Sequence, residues 1–109
     1  MSLAPEAVKS GLAKPWPDLE QLMLVVSHVT RLKMLRELSL GEVREIQELA
    51  QVAGCSYDSA LKHLAMMARA SLVTRGRGGV YLMHRQHLPV AGERVVDFGW
   101  VLLRLEEVK

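Results

Sequence analysis

Ser56-Tyr-Asp-Ser-Ala-Leu-Lys-His-Leu-Ala-Met-Met-Ala-Arg-Ala-Ser-Leu-Val73 is the stretch whose reading decides the fold. At 100° per residue on a helix, Ala60, Leu61, Leu64, Met67 and Ala68 fall on one stripe. Asp58, Ser59, Lys62, Met66 and Arg69 fall opposite. Ser56 is a good N-cap, because its hydroxyl can accept from the free N–H groups of the first turn. The segment therefore buries one side and offers a short, polar, weakly basic side to something else. By itself this describes an ordinary surface helix, and its neighbours give it meaning.

Upstream, Glu45-Ile-Gln-Glu-Leu-Ala-Gln-Val-Ala53 predicts a second amphipathic helix with Ile46, Leu49, Ala50 and Ala53 inward. Gly54 follows, where glycine can take the left-handed conformation that ends a helix. Only Gly54 and Cys55 separate this helix from Ser56, so the two form a helix-turn-helix pattern. Downstream, Leu72–Arg75 and Val80–Met83 are β-prone runs around Gly76-Arg-Gly-Gly79, a hairpin with a glycine-rich tip carrying arginine. Helix, turn, helix and basic hairpin in that order predict an α+β, mostly α fold: a winged helix-turn-helix over residues 18–109.

Val26-Ser-His-Val-Thr-Arg-Leu-Lys-Met-Leu35 resembles a helix opening of the ArsR-type winged-helix transcriptional regulators. Ser56–Val73 resembles that family's recognition helix, with His63-Leu64, Met67, Ala70 and Leu72-Val73 in register. The likeness runs from about residue 19 to about residue 84. It implies a homodimeric regulator of transcription, expected to act as a repressor, binding double-stranded DNA. The chain departs from the family pattern at Leu61, where a DNA-touching serine is common, and at Ser71, which replaces a turn glycine. The family's paired-cysteine metal signature is missing.

A chain of 109 residues is expected to form one domain, and 50% hydrophobic residues suffice for its core, with a surplus that fits a dimer. The net charge of +2 is too small to argue for nucleic acid. Its distribution argues better. Residues 55–80 carry Lys62, Arg69, Arg75 and Arg77 against Asp58, four minus one, or +3. Residues 42–54 carry Glu42, Glu45 and Glu48 against Arg44, one minus three, or −2. Positive charge thus gathers where phosphate contacts would be needed. The single cysteine excludes an intrachain disulfide and agrees with a reducing compartment. No apolar run reaches the roughly 18 residues of a membrane span, and no signal-peptide pattern opens the chain. The expected location is cytoplasmic.

Residues 1–17, with Pro5, Pro15 and Pro17, predict an arm, disordered or lying on a neighbour. Lys9 and Lys14 alone are too few for an arm laid in a DNA groove. Asp18 is placed to cap a helix over Leu19–Val26 that is apolar almost all round, so that a second subunit is expected to cover part of it. Thr30 is expected to cap Arg31–Leu40, with Leu32, Met34, Leu35 and Leu38 inward. Arg31 falls on the apolar side and needs a carboxylate or carbonyl partner; phosphate contact is the alternative. Val43 is a candidate one-rung strand beside the wing. In Gly92–Leu105, the residues Val95, Val96, Phe98, Trp100 and Val101 favour strand over helix. That strand is expected to extend the wing hairpin through the Pro89–Gly92 turn.

The candidate DNA-binding residues are Ser56, Tyr57, Asp58, Ser59, Lys62, His63 and Arg69 on the helix, with Arg75 and Arg77 at the wing. Ser59 can bond to bases or phosphate, Lys62 to guanine or phosphate, and Asp58 to a cytosine amino group. Asp58 equally suits the first turn of any helix. Tyr57 could instead pack on the preceding helix, and His63 could bridge helix and backbone. Soft-metal sites want thiolates, and Cys55 is alone. His84-Arg-Gln-His87 has a ligand spacing but no carboxylate companions, so no metal or other cofactor is assigned. Cys55, just before a helix N-terminus, is either a redox switch or a packing residue. No catalytic triad or carboxylate pair is present, and Gly76–Gly79 lacks the lysine and helix of a P-loop. No enzyme activity is expected. The rival reading is a winged-helix protein-interaction module that binds no DNA.

Overall fold

The computed structural model describes residues 17–89 and 95–105. The expectation for the N-terminal arm therefore lies outside the described residues, apart from Pro17, which is buried. Residues 90–92 of the expected turn before the tail lie outside them too.

The fold is α+β. Helices α1 (Leu19–Val26) and α2 (Val29–Leu38) lead to a short strand β1 (Arg44–Glu45). Helices α3 (Ile46–Ala53) and α4 (Tyr57–Arg69) follow, then strands β2 (Val73–Arg75) and β3 (Val80–Met83). A 3-10 turn at Arg85–His87 precedes β4 (Val95–Asp97) and β5 (Leu102–Arg104). One core joins these elements: Leu22, Val25, Met34, Leu35, Leu38, Leu49, Leu64, Met67 and Phe98 are buried in it.

Asp18 caps α1 as its sequence position suggests, with Oδ2 accepting from Gln21 N–H at 3.1 Å. Only one side of α1 meets the core. Leu22 and Val25 are buried, while Leu19, Met23 and Leu24 are exposed. Helix α2 begins earlier than its hydroxyl signal suggested. The cap is His28, whose Nδ1 accepts from Thr30 N–H at 3.2 Å. A neutral imidazole nitrogen is an acceptor like a side-chain oxygen, and it takes the role assigned to Thr30. The far end closes at Leu38, with Ser39 N–H bonded to Leu35 C=O at 2.8 Å, so Leu40 lies beyond the helix.

The turn between α3 and α4 forms as its glycine predicts. Gly54 has φ +72° and Cys55 N–H donates to Ala50 C=O at 3.0 Å, closing the last turn of α3. An L-residue would be strained in that left-handed conformation. At the start of α4, Ser56 Oγ accepts from Ser59 N–H at 3.1 Å. At its end the chain reverses through Ser71, which has φ +65° and is the only non-glycine residue with positive φ among those described.

Strands β2 and β3 pair antiparallel, Val73 with Met83 and Arg75 with Tyr81. Gly78 (φ +75°) and Gly79 (φ +77°) make the tip between them. The short strand expected beside this hairpin forms, but shifted and two residues long. It is Arg44–Glu45, facing Tyr81 and Val80, and not Val43, which is exposed. The sheet order is β1-β3-β2.

The tail is extended, as Val95 and Val96 favoured, but Phe98, Trp100 and Val101 form a turn between two strands, and the segment does not extend the β2–β3 hairpin. Strands β4 and β5 pair with each other as a separate two-stranded sheet, Val95 with Arg104 and Asp97 with Leu102. The reason is a turn inside the segment. Gly99, at φ +90°, lets Asp97 Oδ1 accept from its N–H at 2.8 Å, and Phe98 N–H reaches Val101 C=O at 3.0 Å. The segment thereby satisfies its own backbone and lowers Val96, Phe98 and Leu105 into the core. His87 anchors it: the buried ring lies 3.2 Å by Nδ1 from Asp97 C=O and 3.2 Å by Nε2 from Ser71 C=O.

Candidate nucleic-acid interface

Helix α4 divides as its periodicity predicts except at Met66, which was placed on the polar side but is half-buried and packs against the core. Ala60, Leu64 and Met67 are fully buried, and Leu61 and Ala68 pack partly buried against the core. On the other side Ser56, Asp58, Lys62 and Arg69 are exposed and Ser59 is half-buried. Tyr57 is 52% exposed, so its ring is not absorbed into packing on α3. Asp58 occupies the first turn, where the helix dipole stabilises a carboxylate, and Arg69 the last turn, where it stabilises a cation.

The hairpin adds Arg75 and Arg77, both exposed. Arg75 ends β2, opposite Tyr81, and Arg77 sits in the glycine tip. Strand β2 follows α4 after only three residues, and packs on it, so helix and hairpin belong to one continuous structure. Arg44 forms ion pairs at 3.0 Å with Glu37 and 2.8 Å with Glu42. These carboxylates raise the Arg44 pKa and fasten the acidic link before α3 to α2. Lys62, Arg69, Arg75 and Arg77 take part in no ion pair among the described residues, so their charge faces solvent.

His63 turns the other way. It is half-buried, and its Nδ1 lies 3.0 Å from Arg31 NH1. Arg31, 8% exposed, also donates through Nε to Val25 C=O at 3.1 Å and through NH2 to Leu24 C=O at 2.6 Å. Its guanidinium thus closes the C-terminal end of α1, where free carbonyls and the helix dipole favour a cation. A carboxylate or carbonyl partner was expected for Arg31, and it takes carbonyls; the link to α4 was not expected. Burial lowers the Arg31 pKa, and burial followed by the nearby Arg31 and His28 charges lowers that of His63. The hint in the sequence was Arg31 on the apolar side of its helix, which shows need for a partner without naming it.

Cys55 is half-buried and packs against the core at the turn. His84 and His87 come edge to face, with ring centroids 6.3 Å apart, but both His87 nitrogens meet carbonyl oxygens. Among the described residues no group of three or more His, Cys, Asp or Glu side chains could hold a metal ion. Among them, too, no helix is long and apolar enough to cross a membrane. No protein-family model, curated protein or solved structure matches this chain.

Proposed function

We propose that the chain is a DNA-binding transcriptional regulator of winged helix-turn-helix type, akin to the ArsR-type regulators it resembles. It places α4 in a major groove and the Gly76–Gly79 tip against the flanking sugar-phosphate edge. It acts as a homodimer on a palindromic operator, since two-fold protein symmetry prefers two-fold DNA. The observation that carries this reading is the shared exposure of Lys62, Arg69, Arg75 and Arg77, unpaired among the described residues, on α4 and the adjoining hairpin. Ser56, Tyr57, Asp58 and Ser59, at the start of α4, stand where base edges would be met.

Titration of labelled duplex DNA by anisotropy over a salt series tests it. Regulator binding weakens steeply with salt, because each neutralised phosphate releases counterions. Absence of duplex binding even at low ionic strength removes the reading. It would leave the protein-interaction module, which one observation favours: Val52 on α3 and Tyr57 on α4 are both large, apolar and exposed, on either side of the turn.

A further inference from the structure

We propose that Arg31 and His63 form a proton-controlled lock that sets the position of α4. The contact is polar, half-buried and joins residues 32 positions apart. It ties the end of α1, through Leu24 and Val25 C=O, to the middle of the helix that presents Lys62 and Arg69. A guanidinium has no acceptor, so His63 Nδ1 must accept from Arg31 and the neutral ring carries its proton on Nε2. The His28 ring sits 4.9 Å from that of His63, and its Nδ1 is committed to Thr30 N–H.

Protonation of His63 converts the Nδ1 acceptor to a donor facing a donor and puts two cations in contact. Among the described residues no carboxylate acts on His63, and Glu37 of α2 is held by Arg44 at 3.0 Å. The charges that act on His63 are Arg31 and His28, both from α2 and its cap. Helix α3 carries Glu48 and is preceded by Glu45, its N-cap; both are exposed and bonded to each other, Glu45 N–H to Glu48 Oε1 at 2.9 Å. Strand β2 carries the exposed Arg75, and β3 carries Tyr81. On α4 itself Asp58, Lys62 and Arg69 are exposed. The folded state therefore prefers neutral His63, and its pKa lies below the ordinary value. The sign follows: the lock's contribution is present above about pH 6.5 and is lost as the pH falls below it, because the unfolded or released chain takes up the proton more readily.

The lock stands without DNA; its consequence for DNA rests on the function proposed above. Acidification adds positive charge and by itself would tighten any duplex complex. Release of α4 predicts the reverse, a loss of about fivefold or more in duplex affinity between about pH 7.5 and about pH 5.5.

NMR of the intact chain tests the lock directly. The expected result is a neutral His63 with its proton on Nε2, titrating below free histidine, and α4 amide shifts that follow its midpoint. His63→Asn keeps an acceptor near the Nδ1 position but cannot titrate, so its α4 shifts and its duplex affinity should be flat over the same range. His28→Asn keeps the cap acceptor and should leave the His63-linked change in place. Titration of His63 without movement of α4, persistence of that movement in His63→Asn, or its loss in His28→Asn overturns the lock. Tighter duplex binding at acid pH overturns its regulatory consequence. No duplex binding at any pH sinks the DNA reading while the NMR result still decides the lock. Should His63→Asn fail to fold, the titration of the unaltered protein decides.

Discussion

Helices α1 and α4 each bury one side in the same core, yet their free sides are opposites. On α1 the free side is Leu19, Met23 and Leu24, the last 50% exposed. On α4 it is Ser56, Asp58, Lys62 and Arg69 around a half-exposed Tyr57. Water tolerates the second surface without penalty, whereas the first keeps apolar area in solvent that burial would stabilise by about 25 cal/mol per Å². One helix is therefore suited to meeting a polar, charged partner and the other to being covered. A chain whose two exposed helices differ in this way presents two separate surfaces, and the mutations that distinguish them should have separable effects.

The largest effect is expected where α4 meets the core. Leu64→Ala removes a fully buried side chain and should cost about 3 kcal/mol, read as a lowered midpoint in urea. A cost within the surface range of about 0.5 kcal/mol would mean that α4 does not pack as described.

Next comes the polar side of the same helix and the wing. Lys62→Glu combined with Arg77→Glu should weaken duplex binding by tenfold or more, about 1.4 kcal/mol, while the melting temperature stays close to that of the parent. Unchanged retention of DNA by this variant would refute the assignment of that face. Both residues are exposed and unpaired among those described, so a large fall in stability is not expected.

Ser71 offers a smaller effect of opposite sign. Its φ of +65° costs an L-residue roughly 1 kcal/mol. Ser71→Gly should raise stability by a fraction of that, since glycine also gains freedom in the unfolded chain. Thermal melts of the two proteins measure it. A destabilised Ser71→Gly would show that the serine side chain itself supports the turn.

The smallest effect is on α1. Leu24→Ala should change the stability of an isolated chain by less than about 0.5 kcal/mol, because the side chain is half in solvent. A dependence of that difference on protein concentration would sharpen the contrast, since it would show a second copy covering α1.

The readable parts of this chain were those governed by local chemistry. Leu64 and Met67 with Ala60 mark an inner stripe by spacing alone, Gly54 and Ser56 carry the stop and start of two helices in their own conformational preferences, and the glycines at 78 and 79 allow the positive φ that a tight turn needs. The α+β class followed from these signals. The local signals erred where two groups competed for one role: His28 displaced Thr30 as the cap of α2, and the strand rung moved from Val43 to Arg44–Glu45.

Residue types and their periodicity determined which faces are apolar, where the helices break and that the tail is extended, because each depends on neighbours within a few positions. The tertiary structure alone decided that the tail pairs with itself, that His87 anchors it between Ser71 and Asp97, and that Arg31 finds His63. Those outcomes join residues up to 32 positions apart, and partner choice at that range is set by how the packed elements orient polar atoms that must be satisfied once buried. A sequence shows which groups need a partner; the fold selects it.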